Sequence, residues 1–485
     1  MQKPAFLFLL TAFLAAALYA QNYSSLSPLV RQFVVEQGPV TALTHVRVID
    51  GTGAPPAEDQ TVILDHGRIT SIASAASTVL PAGARELNLA GSTVIPGMVG
   101  MHDHLFYPNQ IATRAAEGPV ITYNEMAFSF PRLYLACGIT TIRTTGSVEP
   151  YTDLELKKLT DRGLAPGPKI HVTGPYLEGA GSYTPQMHEL SGPQEATRLV
   201  NFWADEGVTS FKAYMHITPG ELRAAALAAH ARGIKITGHL CSIGFTEAAA
   251  LNIDDLEHGL FVDTEFDPGK QAGVCPSQQL TEATMAKLDV ESAPVQAMIR
   301  NLVARHVAVT STLPVFETFL PNRPTLQPRL LAVLSAPARI DYLTLRALRA
   351  GANAAGMAAD FQKEMQFERD FVKAGGLLLM GEDPTGYGGV VAGFGDQREV
   401  ELLVQAGFAP VEAIHIATAN GAEFLGEASS IGTLAAGKAA DVVVIQGNPA
   451  ASIEDIEKVQ MVFKDGLGYD SQKLIDSVRG AVGLH

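Results

Sequence analysis

The stretch TVIPGMVGMHDHL, residues 93–105, decides the fold. An apolar run ends on two histidines at i and i+2, which an extended strand turns to one face. Its chemistry is therefore gathered at the C-terminal end of a strand. Seven more runs of this kind follow: ITTIRT (139–144), KIHVTG (169–174), SFKAYM (210–215), KITGHL (235–240), DDLEHG (254–259), AVTSTL (308–313) and LLLMGED (377–383). Helical stretches separate them, as in TPGELRAAALAAHARG, where Thr218 reads as N-cap, Pro219 as first-turn residue and Gly233 as terminator. Strands alternating with helices pair in parallel, so the pattern predicts an α/β chain with a (β/α)8 TIM barrel over residues 97–424.

Residues 40–96 and 425–485 read instead as short alternating strands, predicted to meet in one small β-sandwich domain built from both ends of the chain. The stretch 262–335, rich in Pro, Ser, Thr and Gln, is expected to be a long loop with helical pieces over the barrel mouth, and a loop of that size could serve a homo-oligomer contact.

Composition narrows the class. A chain of 485 residues with 47% hydrophobic and 18% charged residues has a substantial core and is not disordered. A formal charge of -15 disfavours nucleic acid and anionic membrane surfaces as partners and does not identify a substrate. Residues 1–20, MQKPAFLFLLTAFLAAALYA, read as a signal peptide, their apolar run being short for a membrane span. The expectation is a secreted or periplasmic protein with no stable membrane association after cleavage. The three cysteines, Cys137, Cys241 and Cys275, show no paired spacing, so no disulfide framework is expected. Cys137 is expected to be buried, and Cys241 to be structural or to line a pocket.

The strand ends carry His102, His104, Lys212, His239, His258 and Asp383. In a barrel these ends share one mouth, which would converge four imidazoles and a carboxylate on a metal. Imidazole suits Zn²⁺, and Asp383 adds a hard oxygen that can also move protons; Glu382 competes with it by register. Lys212 is costly in a buried strand, and its ammonium cannot ligate a metal. Either CO₂ adds to the neutral amine, giving a carbamate that can bridge two ions, or the ammonium pairs with a carboxylate such as Asp383. Tyr214 and His216 follow Lys212 at strand spacing, and His188 lies in EGAGSYTPQMHEL (178–190); all three are candidates for binding substrate. Arg143 is expected to form a structural ion pair near Glu149 or to bind an acidic group.

These residues resemble the metal-dependent amidohydrolase superfamily, specifically its imidazolonepropionase-like and prolidase-like branch. The matching segments are TVIPGMVGMHDHL, GITTIRTTG, GVTSFKAYM, AHARGIKITGHL, DDLEHG, GEDPTG and the tail IGTLAAGKAADVVVIQGNP. The resemblance implies two divalent ions, with His102, His104 and Asp383 on the more buried one. His239 and His258 would hold the other, carboxylated Lys212 would bridge them, and Asp383 would take a proton from the attacking water. It departs from the branch at Thr144, where many relatives place an Asp after the Arg.

The implied activity is hydrolysis of an amide bond in a small molecule such as a dipeptide or N-acyl amino acid. The same site could instead cleave a lactone, carboxyl ester or phosphotriester. The remaining alternative is an exported binding protein without turnover.

Overall fold

The computed structural model describes residues 23–118, 120–351 and 354–484. The apolar leader lies outside the described residues. All eight apolar runs form strands: Met98–Asp103, Ile139–Thr144, Lys169–Val172, Ser210–Ala213, Lys235–Gly238, Asp255–Glu257, Ala308–Ser311 and Leu378–Met380. Neighbours pair in parallel, in one ladder of the first three strands and another of the last five. Bridges at Thr173–Ser210 and Leu177–Ala213 link the third and fourth strands. At the other seam, the Glu382 and Asp383 N–H groups donate to the His102 carbonyl at 3.2 and 3.0 Å. The arrangement is TIM-barrel-like, but its hydrogen bonding is two sheets and not the single ladder that eight equal units predict. Strands as short as three residues leave the seams to isolated bridges.

The second seam requires a glycine. A Cβ on Gly381 would stand 2.3 Å from the His102 Cβ, so a side chain there would push the eighth strand off the first. It would also push Asp383 away from the histidines. The predicted helix after the fourth strand spans Pro219–Ala231, with Thr218 and Glu221 forming a capping box.

Strands from the two terminal segments join in one nine-stranded mixed sheet, in which Val442–Gln446 runs antiparallel to Ser92–Pro96. Leu43, Val62, Val94, Val442 and Phe463 give the sheet its own small core. Ser92–Pro96 passes through Gly97 straight into the first barrel strand, which ties the register of the sheet to that of His102.

The stretch 262–335 is about half regular structure, with helices Gln278–Lys287, Ala293–Ala304, Leu313–Glu317 and Pro328–Val333 around the strand Ala308–Ser311, in keeping with a long loop that carries helical pieces. Three of its Pro residues, Pro294, Pro314 and Pro328, stand in the first turn of a helix. The expectation for the cysteines fails. Cys241 and Cys275 form a disulfide, with Cα atoms 4.9 Å apart. The chain after the sixth strand doubles back over the end of the fifth, where Thr264 Oγ1 and Lys270 Nζ donate to the Cys241 carbonyl at 2.6 and 3.0 Å. A separation of 34 residues gives no sequence signal for that return. Cys137 is buried and free, as expected. Among the described residues no helix is long and apolar enough to cross a membrane.

Candidate metal centre

The strand ends bring the sequence candidates together. His102, His104, Lys212 and His258 are almost wholly buried, Asp383 is 7% exposed, and His239 is half-buried. Asp383 lies among the imidazoles: its oxygens are 3.5 Å from His104 Nε2, 3.8 Å from His102 Nε2 and 3.9 Å from His258 Nε2. The His239 ring is 4.5 Å from that of His258. Register settles the rivalry of the two acids, since Glu382 turns away to the Tyr134 hydroxyl at 3.0 Å.

Three of the imidazoles are fixed from behind. His102 Nδ1 lies 2.6 Å from Glu257 Oε2, and His104 Nδ1 lies 3.1 Å from the Gly146 carbonyl. Carboxylate and carbonyl both accept, so each Nδ1 carries the proton and each Nε2 keeps a bare lone pair. His258 Nδ1 meets Thr312 Oγ1 at 2.7 Å, and its buried Nε2 has no hydrogen-bond partner among the described residues. A buried polar atom left bare costs about 1–3 kcal/mol unless a ligand takes it up. That atom, with the converging donors around it, fits a divalent ion.

Burial pushes His102, His104 and His258 well below the usual imidazole range and His239 down to about 3, and the Lys212 cation adds to the shift. Neutral imidazole is the ligating form. Burial raises Asp383 to about 6, against the pull of Lys212 and a hydrogen bond from Thr385. Lys212 Nζ sits 3.1 Å from His102 Nε2, and burial lowers it to about 8.

Backbone conformation explains how neighbouring residues share the mouth. His258 has φ 72° and Asp383 φ 51°, left-handed values that cost a non-glycine residue about 1–2 kcal/mol. At His258 this lets Glu257 face inward to His102 while the next residue also joins the cluster.

Arg143 is neither near Glu149 as an ion pair nor a substrate group. Its guanidinium is buried against Asp255 at 2.7 Å and Glu257 at 3.0 Å, beneath His102. The Arg143–Asp255–Glu257 group therefore holds the first histidine in place. Sequence reading missed Glu257, whose neighbour His258 drew the assignment.

The substrate-side candidates divide. Tyr214 packs against His239, ring centroids 5.0 Å apart. His216 stays back, with its backbone N–H and its Nδ1 on Glu178 at 2.7 and 3.4 Å. His188 is not brought into the cluster, its side chain being 60% exposed and held by Glu195 at 3.2 Å. The loop that carries it instead contributes Tyr183, which with Tyr123, Tyr176 and Phe106 walls one side of the centre. Phe106 stacks on His104 at 4.3 Å, while Phe316 meets His258 edge-on at 5.7 Å from the opposite side. Aromatic residues scattered over 200 positions have no common spacing, so no sequence pattern announced them.

No curated protein matches the chain. Among solved structures, a prolidase-like protein from Bifidobacterium longum is similar over 92% of this chain and 99% of its own, with TM-score 0.65 and 24% identity. An Xaa-Pro dipeptidase with bound methionine aligns over 89% of this chain and all of its own, with TM-score 0.64 and 20% identity. An Aspergillus niger ochratoxinase aligns over 91% and 99%, with TM-score 0.63 and 17% identity. At these identities the likeness establishes the fold. The model of the amidohydrolase family matches residues 93–467, from the strand leading into His102-Asp103-His104 to the last strand of the terminal sheet. By that match, covering most of its length, the chain belongs to the amidohydrolase family of carbon–nitrogen hydrolases.

Proposed function

We propose that this protein hydrolyses the amide bond of a small molecule, of the dipeptide or N-acyl amino acid kind, with two divalent ions, Zn²⁺ first among them. The observation that carries the reading is the bare, buried His258 Nε2 beside Asp383, inside a ring of imidazoles, three of which are anchored at Nδ1. Dipeptidase and ochratoxinase activities named for similar structures agree with an amide. His102, His104 and Asp383 would hold one ion and His239 and His258 the other. Lys212, as its carbamate, would bridge them, because an ammonium 3.1 Å from His102 Nε2 would repel a cation there.

When bound, the ions supply Lewis acidity at the carbonyl oxygen and make a water acidic enough to attack near neutral pH. Asp383 accepts the proton from that water and returns it to the departing amine, a task suited to a carboxyl raised to about 6. Glu257 and Gly146 hold His102 and His104 in the tautomer that presents Nε2. The aromatic walls exclude water and orient the apolar part of the substrate, with the Tyr214 ring packed against His239.

The Cys241–Cys275 disulfide supports export to an oxidising compartment, as the leader suggests. The test is metal analysis of the purified protein coupled to matched panels of N-acyl amino acids, dipeptides and esters. Two equivalents of metal and amide turnover are expected. Activity confined to esters would overturn the amide assignment, and a metal-loaded protein inert on both panels would favour a binding role.

A further inference from the structure

Tyr123, Tyr183 and Tyr214 come from three separate segments. Tyr123 opens the strand Tyr123–Glu125, which pairs with Phe106–Pro108 in a hairpin; Tyr183 sits in the loop 178–190; Tyr214 follows the fourth barrel strand. Their hydroxyls meet in series, Tyr123 to Tyr183 at 3.0 Å and Tyr183 to Tyr214 at 3.1 Å. The hairpin and the loop are also clamped directly: the Tyr123 N–H donates to Gln186 Oε1 at 2.6 Å, and Gln186 Nε2 donates to the Tyr123 carbonyl at 2.8 Å.

Three hydroxyls carry three protons, and the two bonds between them use two. One proton is left over, at one end of the series. Tyr123 packs against the apolar Phe106, ring centroids 4.9 Å apart. Tyr214 ends beside the metal centre, its ring 5.0 Å from that of His239 and 5.7 Å from Lys212 Nζ. Substrate bound there would place an oxygen, which needs a donor, at the second end. With the series running Tyr123 to Tyr183 to Tyr214, the last hydroxyl accepts one bond while offering another, which makes it the stronger donor.

We infer that the three tyrosines form a donor relay that is complete only when the hairpin and the loop 178–190 lie over the metal centre, and that Tyr214 at its end donates to the oxygen of the scissile carbonyl. The inference rests on the hydrolase reading. Tyr214 is then a catalytic residue, and Tyr183 and Tyr123 are positioning residues that act through it. Closure of two loops over the substrate and supply of a donor become one event.

The experiment uses the full zinc-loaded chain and the variants Tyr214→Phe, Tyr183→Phe and Tyr123→Phe, each of which keeps the ring and removes only the hydroxyl. On the best-cleaved N-acyl amino acid, kcat is expected to fall about 100-fold, about tenfold and about threefold in that order, with KM within about twofold. The affinity of a phosphonamidate analogue of that substrate should fall in the same order. Hydrogen exchange in residues 178–190 should rise about tenfold in Tyr183→Phe at unchanged melting temperature.

Equal losses in all three variants, or unchanged kcat in Tyr183→Phe, would overturn the relay. Were the unsubstituted enzyme to cleave no amide, the hydrolase reading would fall. Exchange and analogue binding would still decide the relay, which is overturned by unaltered exchange in Tyr183→Phe or by equal analogue affinity in Tyr214→Phe.

Discussion

His102 and His104 flank Asp103, and Asp383 follows Glu382, yet these five neighbours divide between two clusters on opposite sides of the same strand ends. On the inner side are the imidazoles and Asp383. On the outer side Asp103, Glu382 and Asp396, all fully buried, bring their oxygens within 4.8 Å of one another beneath the helix Phe394–Ala406. Burial acts on both clusters in the direction of neutrality, with opposite chemical results. It strips protons from imidazoles and leaves them in the form that can ligate a metal. It leaves protons on acids: burial pushes Asp103 and Glu382 well above the ordinary carboxylate range and Asp396 up to about 7. Burial raises Asp383 as well, to about 6, with the Lys212 cation and a hydrogen bond from Thr385 moderating the rise.

The sharpest way to break the comparison is at adjacent residues. Asp383→Asn is expected to lower kcat about 1000-fold, by loss of a proton acceptor, and to reduce metal content. Glu382→Gln, one residue earlier, should keep kcat within about tenfold and retain both equivalents, because it faces Tyr134 and Asp396. Equal inactivation of the two would mean that the outer acids take part in catalysis.

Lys212→Ala should come next, losing activity and metal together. A short carboxylic acid such as propionate should restore part of both, by standing in for the carbamate. A metallated, active Lys212→Ala protein would end the bridging assignment. Chelation of the unsubstituted enzyme should abolish turnover, and divalent ion should restore it with a rise in apparent melting temperature, since an ion that binds only the folded chain stabilises it.

The outer cluster makes a prediction about pH. Its acids have folded pKa values raised above the unfolded range near 4, so the folded chain binds more protons than the unfolded one between about pH 4 and 7. Their contribution to stability is present below that window and is lost as pH rises through it. Asp396→Asn removes one of the three titrating groups. Its apparent melting temperature should therefore fall less than that of the unsubstituted protein from pH 5 to pH 8, by a few degrees. Parallel curves would show that these acids do not titrate together.

What could be read from the sequence follows the same division. Each barrel strand was legible because a short apolar run ends on or near a polar residue, and the inner cluster was legible because its members lie at those ends. Glu257, Arg143 and the outer acids were not, since a buried polar residue inside a strand looks like any other until its partner is placed. His258 and Asp383 hid a second fact, a left-handed backbone, which at His258 lets Glu257 and its neighbour serve one site and at Asp383 accompanies the parting of Glu382 from it. The tyrosine wall depends on three loops meeting, and loops meet through tertiary packing that no local pattern encodes. The disulfide was missed for the same reason.

That disulfide offers the gentlest test of how the inner cluster is held. Cys241 is two residues past His239, so the bond to Cys275 could be what orders this ligand. Three other contacts say otherwise. Thr264 Oγ1 and Lys270 Nζ both reach the Cys241 carbonyl, and the Cys241 N–H donates to the Met215 carbonyl at 3.2 Å, beside the fourth strand. The chain-entropy argument gives the cross-link about 4 kcal/mol at most, acting on the unfolded chain and not on the site. The double variant Cys241→Ser, Cys275→Ser should therefore lose a few degrees of apparent melting temperature and be cut faster by protease between residues 262 and 277. Its kcat should remain within about twofold and its metal content unchanged. A tenfold loss of kcat at full metal content would place the ordering of His239 in the cross-link, and would show that the inner cluster, unlike the outer one, depends on the loop above it.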